Sequence, residues 1–170
     1  MTRDDALLPQ FDKCLAQILT WLDKAEANAT SKKYDVDTLL TARLAPDMYP
    51  LVKQVQAACD SAKFLAARLT GSEAPKHPDT ETSVKELRQR IAAVRDYLGS
   101  LASETFAGAE ERVVPLPFWP GKGMAAREYL TTMATPNFYF HYSMAYAILR
   151  HNGIDVGKQD YIGPLNTVDL

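Results

Sequence analysis

The sequence predicts an all-α domain: a four-helix bundle with one long irregular connection between the third and fourth helices. Three observations carry that expectation. Four segments place apolar residues at steps of three and four, the period of a helix that buries one face. Hydrophobic residues make up 46% of the 170-residue chain and charged residues 24%, which suits one shared core in a single domain spanning 1–170. Prolines and glycines gather between the third and fourth segments and exclude a long helix there.

The first helix is expected over about Leu8–Ala29, with Phe11, Leu15, Ile18, Leu22 and Ala25 on its stripe and Pro9 in its first turn. The second runs from about Asp47 to Leu69, with Asp47 as N-cap, Pro50 in the first turn and Gly71 as the left-handed stop. The third opens on Ser83 and Glu86, which have the spacing of a capping box, with Asp79 or Thr80 as alternative earlier starts, and runs to about Phe106. Residues 108–135 hold Pro115, Pro117, Pro120, Gly121 and Gly123. Two short extended pieces, near Arg112–Leu116 and Glu128–Met133, are candidates for a small hairpin. The fourth helix starts with Thr135 as N-cap and Pro136 at N1, and ends near Asn152. The tail from Ile154 is expected to pack across the bundle.

Charge and composition exclude several function classes. Nineteen Lys and Arg against 21 Asp and Glu give a formal net charge of −2, which offers no broad basic face to nucleic acid. No apolar run approaches the ~20 residues of a membrane span. The first residues lack the apolar core of a signal peptide, and the two cysteines, Cys14 and Cys59, are no disulfide framework. Both observations point to a cytoplasmic protein with two buried thiols. Phosphate-binding glycine loops, nucleophile elbows, His-Glu-x-x-His and Cys-x-x-Cys are all absent.

The chemistry that remains centres on histidine. His77 lies in a polar loop and reads as solvated. His151 ends the fourth helix, where a cation suits the dipole. His141 lies on the apolar stripe of the fourth helix, with Asn137 four residues earlier on the same face and Tyr142 beside it. It is either a buried histidine satisfied by hydrogen bonds or part of a pocket. Asp47 either caps the second helix or joins His141 in a polar cluster, and Arg43 is placed to pair with it. Arg150 is expected to bind carbonyls or a tail carboxylate. The pocket candidates are thus Asp47, Asn137, His141 and Tyr142. The surrounding aromatics serve a ligand pocket, a core or a dimer surface, with Trp21 and Trp119 as candidate homodimer contacts.

Several blocks carry a family resemblance: Asn137-Phe-Tyr-Phe-His141, Ala145 to Gly153, Ala42 to Met48, Gln54-Val-Gln56 and Gly157 to Gly163. The chain resembles the domain-of-unknown-function family numbered nineteen-ninety-three, a branch of the DinB/YfiT-like superfamily of four-helix bundles. The resemblance implies a DinB-like bundle, often dimeric. Many superfamily members hold a divalent metal with three histidines, one from the second helix and a His-x-x-x-His pair from the fourth. Here His141 matches the second of that pair, while Asn137 stands at the first and Asp47 or a near neighbour stands near the second-helix position. A set of Asp, Asn and His suits a hard or weakly held ion more than zinc or nickel.

Two functions follow as expectations. In one, the bundle binds an unknown small molecule, or acts as an oligomer, without the three-histidine centre. In the other it is an enzyme of hydrolase or thiol-transferase type. There, Asp47, Asn137 and His141 hold a weakly bound divalent metal, or Asp47 orients His141 as a general base with no metal.

Overall fold

The computed structural model describes residues 1–2, 7–116 and 118–169. Pro117, one of the expected helix breakers, lies outside the described residues. Four long helical segments enclose one core, as the stripes predict. Helix α1 spans Leu8–Lys32, three residues past the expected end, and stops where Lys33 turns left-handed at φ 58°. Every residue named on its stripe is buried. Pro9 sits in the first turn, where its missing N–H costs no helical bond.

Helix α2 begins at Leu51, not at Asp47. The reason is Pro50: a proline pushes the residue before it away from helical geometry, and Pro50 itself is extended and serves as N-cap. Asp47 therefore lies in an exposed turn ahead of the helix. Arg43 does not pair with it; its guanidinium donates to the Pro46 carbonyl at 3.3 Å. The helix ends at Thr70, and Gly71 supplies the left-handed stop at φ 74°.

Helix α3 spans Val84–Ser100 and opens on the capping box: Ser83 Oγ accepts from the Glu86 N–H, and Glu86 accepts from the Ser83 N–H. Asp37, in the 3₁₀ turn Val36–Thr41, adds a tertiary cap by accepting from the Val84 N–H at 2.7 Å. The helix stops before the expected Phe106. Gly99 is a poor helix former, and the Ser100 hydroxyl bonds back to the Tyr97 carbonyl, competing with the ladder. A 3₁₀ turn over Ser103–Phe106 then delivers the Phe106 ring to the core.

The connection carries the hairpin, with one strand displaced from expectation. Strand β1, Val113–Pro115, pairs antiparallel with β2, Gly123–Ala125, matching Val114 to Met124. Residues 128–133 are helical instead. The turn bonds Trp119 to Leu116, Lys122 to Trp119 and Leu116 to Lys122 bring the chain back early, so the last cross-strand bond, from the Ala126 N–H to the Arg112 carbonyl at 3.0 Å, comes before residue 128. Gly123 fits because its Cα face lies against Val113, where a Cβ would come within 2.6 Å of Cγ1.

One helical turn, α4 over Ala126–Glu128, continues through a π-helical stretch, Tyr129–Ala134, into α5 over Thr135–His151. Thr135 is thus inside a continuous helical path (φ −65°, ψ −52°) and not an N-cap. Pro136 cannot donate a helical bond and its ring would crowd the preceding turn; the wider π turn before it absorbs both effects.

Helix α2 is central and packs against α1, α3 and α5. Phe11 of α1 stacks on Phe138 of α5 at 4.0 Å between ring centres. The tail crosses the bundle: Ile154 and Val156 are buried, and the short helix α6, Lys158–Ile162, lies against α1. Trp21 Nε1 donates to the Asp160 carbonyl at 3.1 Å. Trp21 is fully buried, which removes it from the candidate dimer contacts, while Trp119 is exposed. Arg150 reaches the tail carboxylate of Asp155 at 3.6 Å. Among the described residues, no helix is long and apolar enough to cross a membrane.

Candidate functional site

Helix α5 turns Asn137 and His141 toward α2, one turn apart, as their spacing requires. Each meets an α2 side chain. His141 Nδ1 lies 2.8 Å from Gln54 Oε1, and Asn137 Nδ2 donates to Ser61 Oγ at 2.6 Å. Gln54 is almost fully buried and anchored at its other end, where Nε2 donates to the Tyr49 carbonyl at 3.1 Å. A carboxamide oxygen only accepts, so His141 carries its proton on Nδ1. Nε2 is left as an acceptor, with no hydrogen bond among the described residues. Burial pushes the His141 pKa below its ordinary value, because a half-buried imidazole resists charging. The exposed Tyr49 ring lies nearly parallel to the imidazole, 6.4 Å between ring centres, and the exposed Phe140 ring meets it edge-on at 5.2 Å.

The other two pocket candidates lie elsewhere. Asp47 is exposed in the turn before α2 and forms no side-chain hydrogen bond or ion pair among the described residues. Tyr142 is fully buried: it packs on Trp21 at 4.7 Å and donates to the Tyr161 carbonyl at 2.6 Å. It fastens the tail to α5. Burial pushes its hydroxyl well above the ordinary range. Ser61 and Tyr49 carry no expectation from the sequence, and Gln54 enters it only within the Gln54-Val-Gln56 block of the family resemblance. The signal available was that Gln54 and Ser61 are polar residues immediately before Val55 and Ala62, apolar residues of a helix that proves buried nearly all round.

The donor set does not fit a three-histidine metal centre. The α2 position facing His141 is a neutral amide already bonded to it. Asn137 directs its NH₂ group, a donor, at Ser61. Among the described residues, no three His, Cys, Asp or Glu side chains come together to hold a metal ion.

A second polar cluster joins α2, α3 and the loop between them. Arg90 of α3 is buried and binds Asp60 at 2.6 Å, Asp79 at 2.6 Å and Glu81 at 3.0 Å. Lys63 of α2, also buried, binds Asp60 at 2.8 Å and lies 2.9 Å from His77 Nδ1. His77 is therefore not simply solvated, as its loop sequence suggests; its ring accepts from an ammonium. Burial lowers its pKa, and the nearby Lys63 and Arg90 charges lower it further. Burial alone would raise the carboxyls of Asp79 and Glu81, but hydrogen bonds and charge from Arg90 outweigh it and hold both below their ordinary values. The cluster clamps the α2–α3 loop. Beside it, burial pushes the Cys59 thiol up to about 12, and Cys14 is likewise buried and raised, so neither thiol is activated.

Helical core, short hairpin and the histidine on the last long helix define a DinB-like bundle. A solved structure of a DinB family member protein from Shewanella denitrificans is 48% identical over 96% of this chain and 93% of that one, with a TM-score of 0.92. The family described as a domain of unknown function, DUF1993, matches residues 4–162. The chain belongs to that family. No curated protein matches it.

Proposed function

We propose that this protein is a small-molecule-binding DinB-like bundle without a three-histidine metal centre, and that His141 is its polar contact. The observation that carries the reading is the Gln54–His141 bond, which fixes a neutral imidazole with Nε2 free as an acceptor. A ligand that donates a hydrogen bond to Nε2 and offers a planar ring to Tyr49 suits this face. Phenol is the simplest probe. In NMR titration it should shift the His141 ring signals saturably, and His141→Ala should abolish binding. Shifts that are linear with concentration, or unchanged in the variant, would count against the reading. A tight, stoichiometric transition metal in tag-free protein would also sink it.

The same free Nε2 favours a second reading, a general-base hydrolase working through His141 with no metal. Ester hydrolysis that follows the His141 titration and disappears in His141→Ala supports it; activity unchanged in that variant removes it. The setting is a reducing cytoplasm, which the two buried, unpaired thiols of Cys14 and Cys59 support. A homodimer, with exposed Trp119 as a contact residue, is part of the same proposal. Light scattering should give twice 18.9 kDa; a monomer counts against it.

A further inference from the structure

We infer that the pocket between the end of α2 and the start of β1 binds a small oxyanion, a carboxylate or phosphate group. The pocket has a volume of about 400 Å³ and is lined by Arg68, Gly71, Ser72, Arg112, Val113 and Pro115, among others. Its charge is unbalanced. Arg88, Arg90, Arg95 and Arg150 all bind carboxylates, and Arg43 binds a carbonyl. Arg68, Arg112 and Arg127 bind no carboxylate among the described residues, and the first two face this one pocket. Two nearby acids in the sequence are engaged elsewhere: Glu73 binds Lys76 at 3.1 Å, and Glu110 binds the N-terminal amino group.

The Arg68 guanidinium is held in place by contacts that leave its charge uncancelled, and that of Arg112 lies close by. Arg68 donates to the Tyr129 hydroxyl, and its guanidinium lies over the Phe64 and Tyr129 rings at 5.4 and 5.3 Å. Arg112 arrives from the strand side and lies over Gly71. A Cβ there would come within 2.8 Å of its Nη1, so glycine both ends α2 and admits the guanidinium. The Ser72 hydroxyl lies 2.9 Å from the Tyr97 hydroxyl and gives its hydrogen to Thr70 Oγ1 at 2.7 Å, since the Thr70 hydroxyl donates to the Ala66 carbonyl. Arg68 lies in the last turn of α2, where one cation offsets the helix dipole. Arg112 is the second positive charge, and the dipole does not account for it. Two guanidinium forks beside the apolar walls of Val113 and Pro115 suit an oxyanion on a small organic body.

Inorganic phosphate and acetate are the probes, titrated by NMR against sodium chloride at matched ionic strength. Saturable shifts at Gly71, Ser72 and Arg112 are expected with one or both; the stronger arm names the group. Arg112→Gln should weaken binding about tenfold or more, and Arg112→Lys should fall between, since it keeps the charge and loses the fork. Arg112 is exposed and has no side-chain hydrogen bond among the described residues, so the folded state should survive; an unchanged melting temperature checks this. Shifts that equal those of chloride, or affinity unchanged in Arg112→Gln, would overturn the proposal. The His141 face lies elsewhere on α2, so failure at one site leaves the other standing.

Discussion

Gln54 Oε1 accepts from His141 Nδ1 across the α2–α5 seam at 2.8 Å. A neutral amide at that position leaves the imidazole's charge unsupported, and burial then keeps the ring neutral. Gln54→Glu is expected to reverse this. A carboxylate at hydrogen-bond distance favours the imidazolium, so the His141 pKa should rise above its present depressed value. Histidine ring signals followed by NMR across pH measure it directly. Asp47→Asn should leave the same titration unmoved, because Asp47 is exposed and bonded to nothing among the described residues. A pKa that ignores Gln54→Glu, or follows Asp47→Asn, would contradict the seam geometry.

The seam also predicts a gain of function. Asn137 and His141 share a face of α5, and Gln54 faces His141 from α2. The double variant Gln54→His with Asn137→His would converge three imidazoles where an amide pair now stands. It should acquire stoichiometric zinc or nickel, which favour nitrogen ligands. Calorimetry on the variant and the parent should differ by at least about tenfold in affinity. Equal affinities would mean that the seam is too wide or too rigid for a shared ion.

Low pH should loosen the molecule through its histidines. His77 and His141 both titrate below the ordinary value of 6.5 in the fold. The unfolded chain therefore binds protons first as pH falls. Their contribution to stability is full above about 6.5 and is lost as pH drops from there through the folded values. His77 faces Lys63 and Asp60 of α2, Arg90 of α3 and Glu81 of its own loop; protonation would set it against the Lys63 ammonium. Urea midpoints should fall between pH 7.5 and pH 5.5, less steeply in His77→Gln. Parallel slopes in variant and parent would show that the Lys63–His77 contact does not carry the effect.

The Arg90 cluster should be the costliest polar site to break. Arg90→Met removes the cation that Asp60, Asp79 and Glu81 share; Asp60 keeps Lys63 and Asp79 keeps Lys53, while Glu81 is left with no ion pair among the described residues. The expected loss is about 3–5 kcal/mol in urea unfolding. Arg90→Lys keeps the charge but cannot reach three partners from one planar group, so it should lose less. A loss below about 1 kcal/mol in Arg90→Met would show that the carboxylates find solvent.

The legibility of this chain follows the range of its causes. The stripe of Phe11 to Ala25, the Ser83–Glu86 capping box and the Gly71 stop depend on neighbours within a few positions, and each is readable from sequence. The start of α2 was misplaced although its cause, Pro50, was visible: Asp47 has N-cap chemistry, but the proline's steric effect on the residue before it dominates. Thr135–Pro136 has the form of a helix start, yet π-helical turns before it carry the helix through. His141 and Asn137 were legible because four-residue spacing fixes a shared face. Gln54, Ser61, and the Lys63–His77 contact were not, since each partner comes from another element. Trp21 and Tyr142 read as surface and pocket residues until the tail covered them.

That covering gives the last expected outcome. Tyr142 donates to the Tyr161 carbonyl at 2.6 Å, Trp21 donates to the Asp160 carbonyl at 3.1 Å, and Lys24 binds the Asp160 carboxylate at 2.7 Å. The first bond is buried, and its loss would leave a backbone acceptor without its partner, a cost of about 1–3 kcal/mol. Tyr142→Phe keeps the ring and its packing on Trp21, so the change isolates the hydroxyl. Hydrogen exchange should speed up over Gly157–Gly163, where local opening releases α6, while exchange in the middle of α2 should change only with global stability. Unaltered exchange over α6 would show that the Trp21 and Lys24 bonds hold the tail without Tyr142. Faster exchange confined to the tail would show that α6 opens as its own unit, although the Ser143 hydroxyl of α5 still reaches the Tyr161 hydroxyl at 2.9 Å.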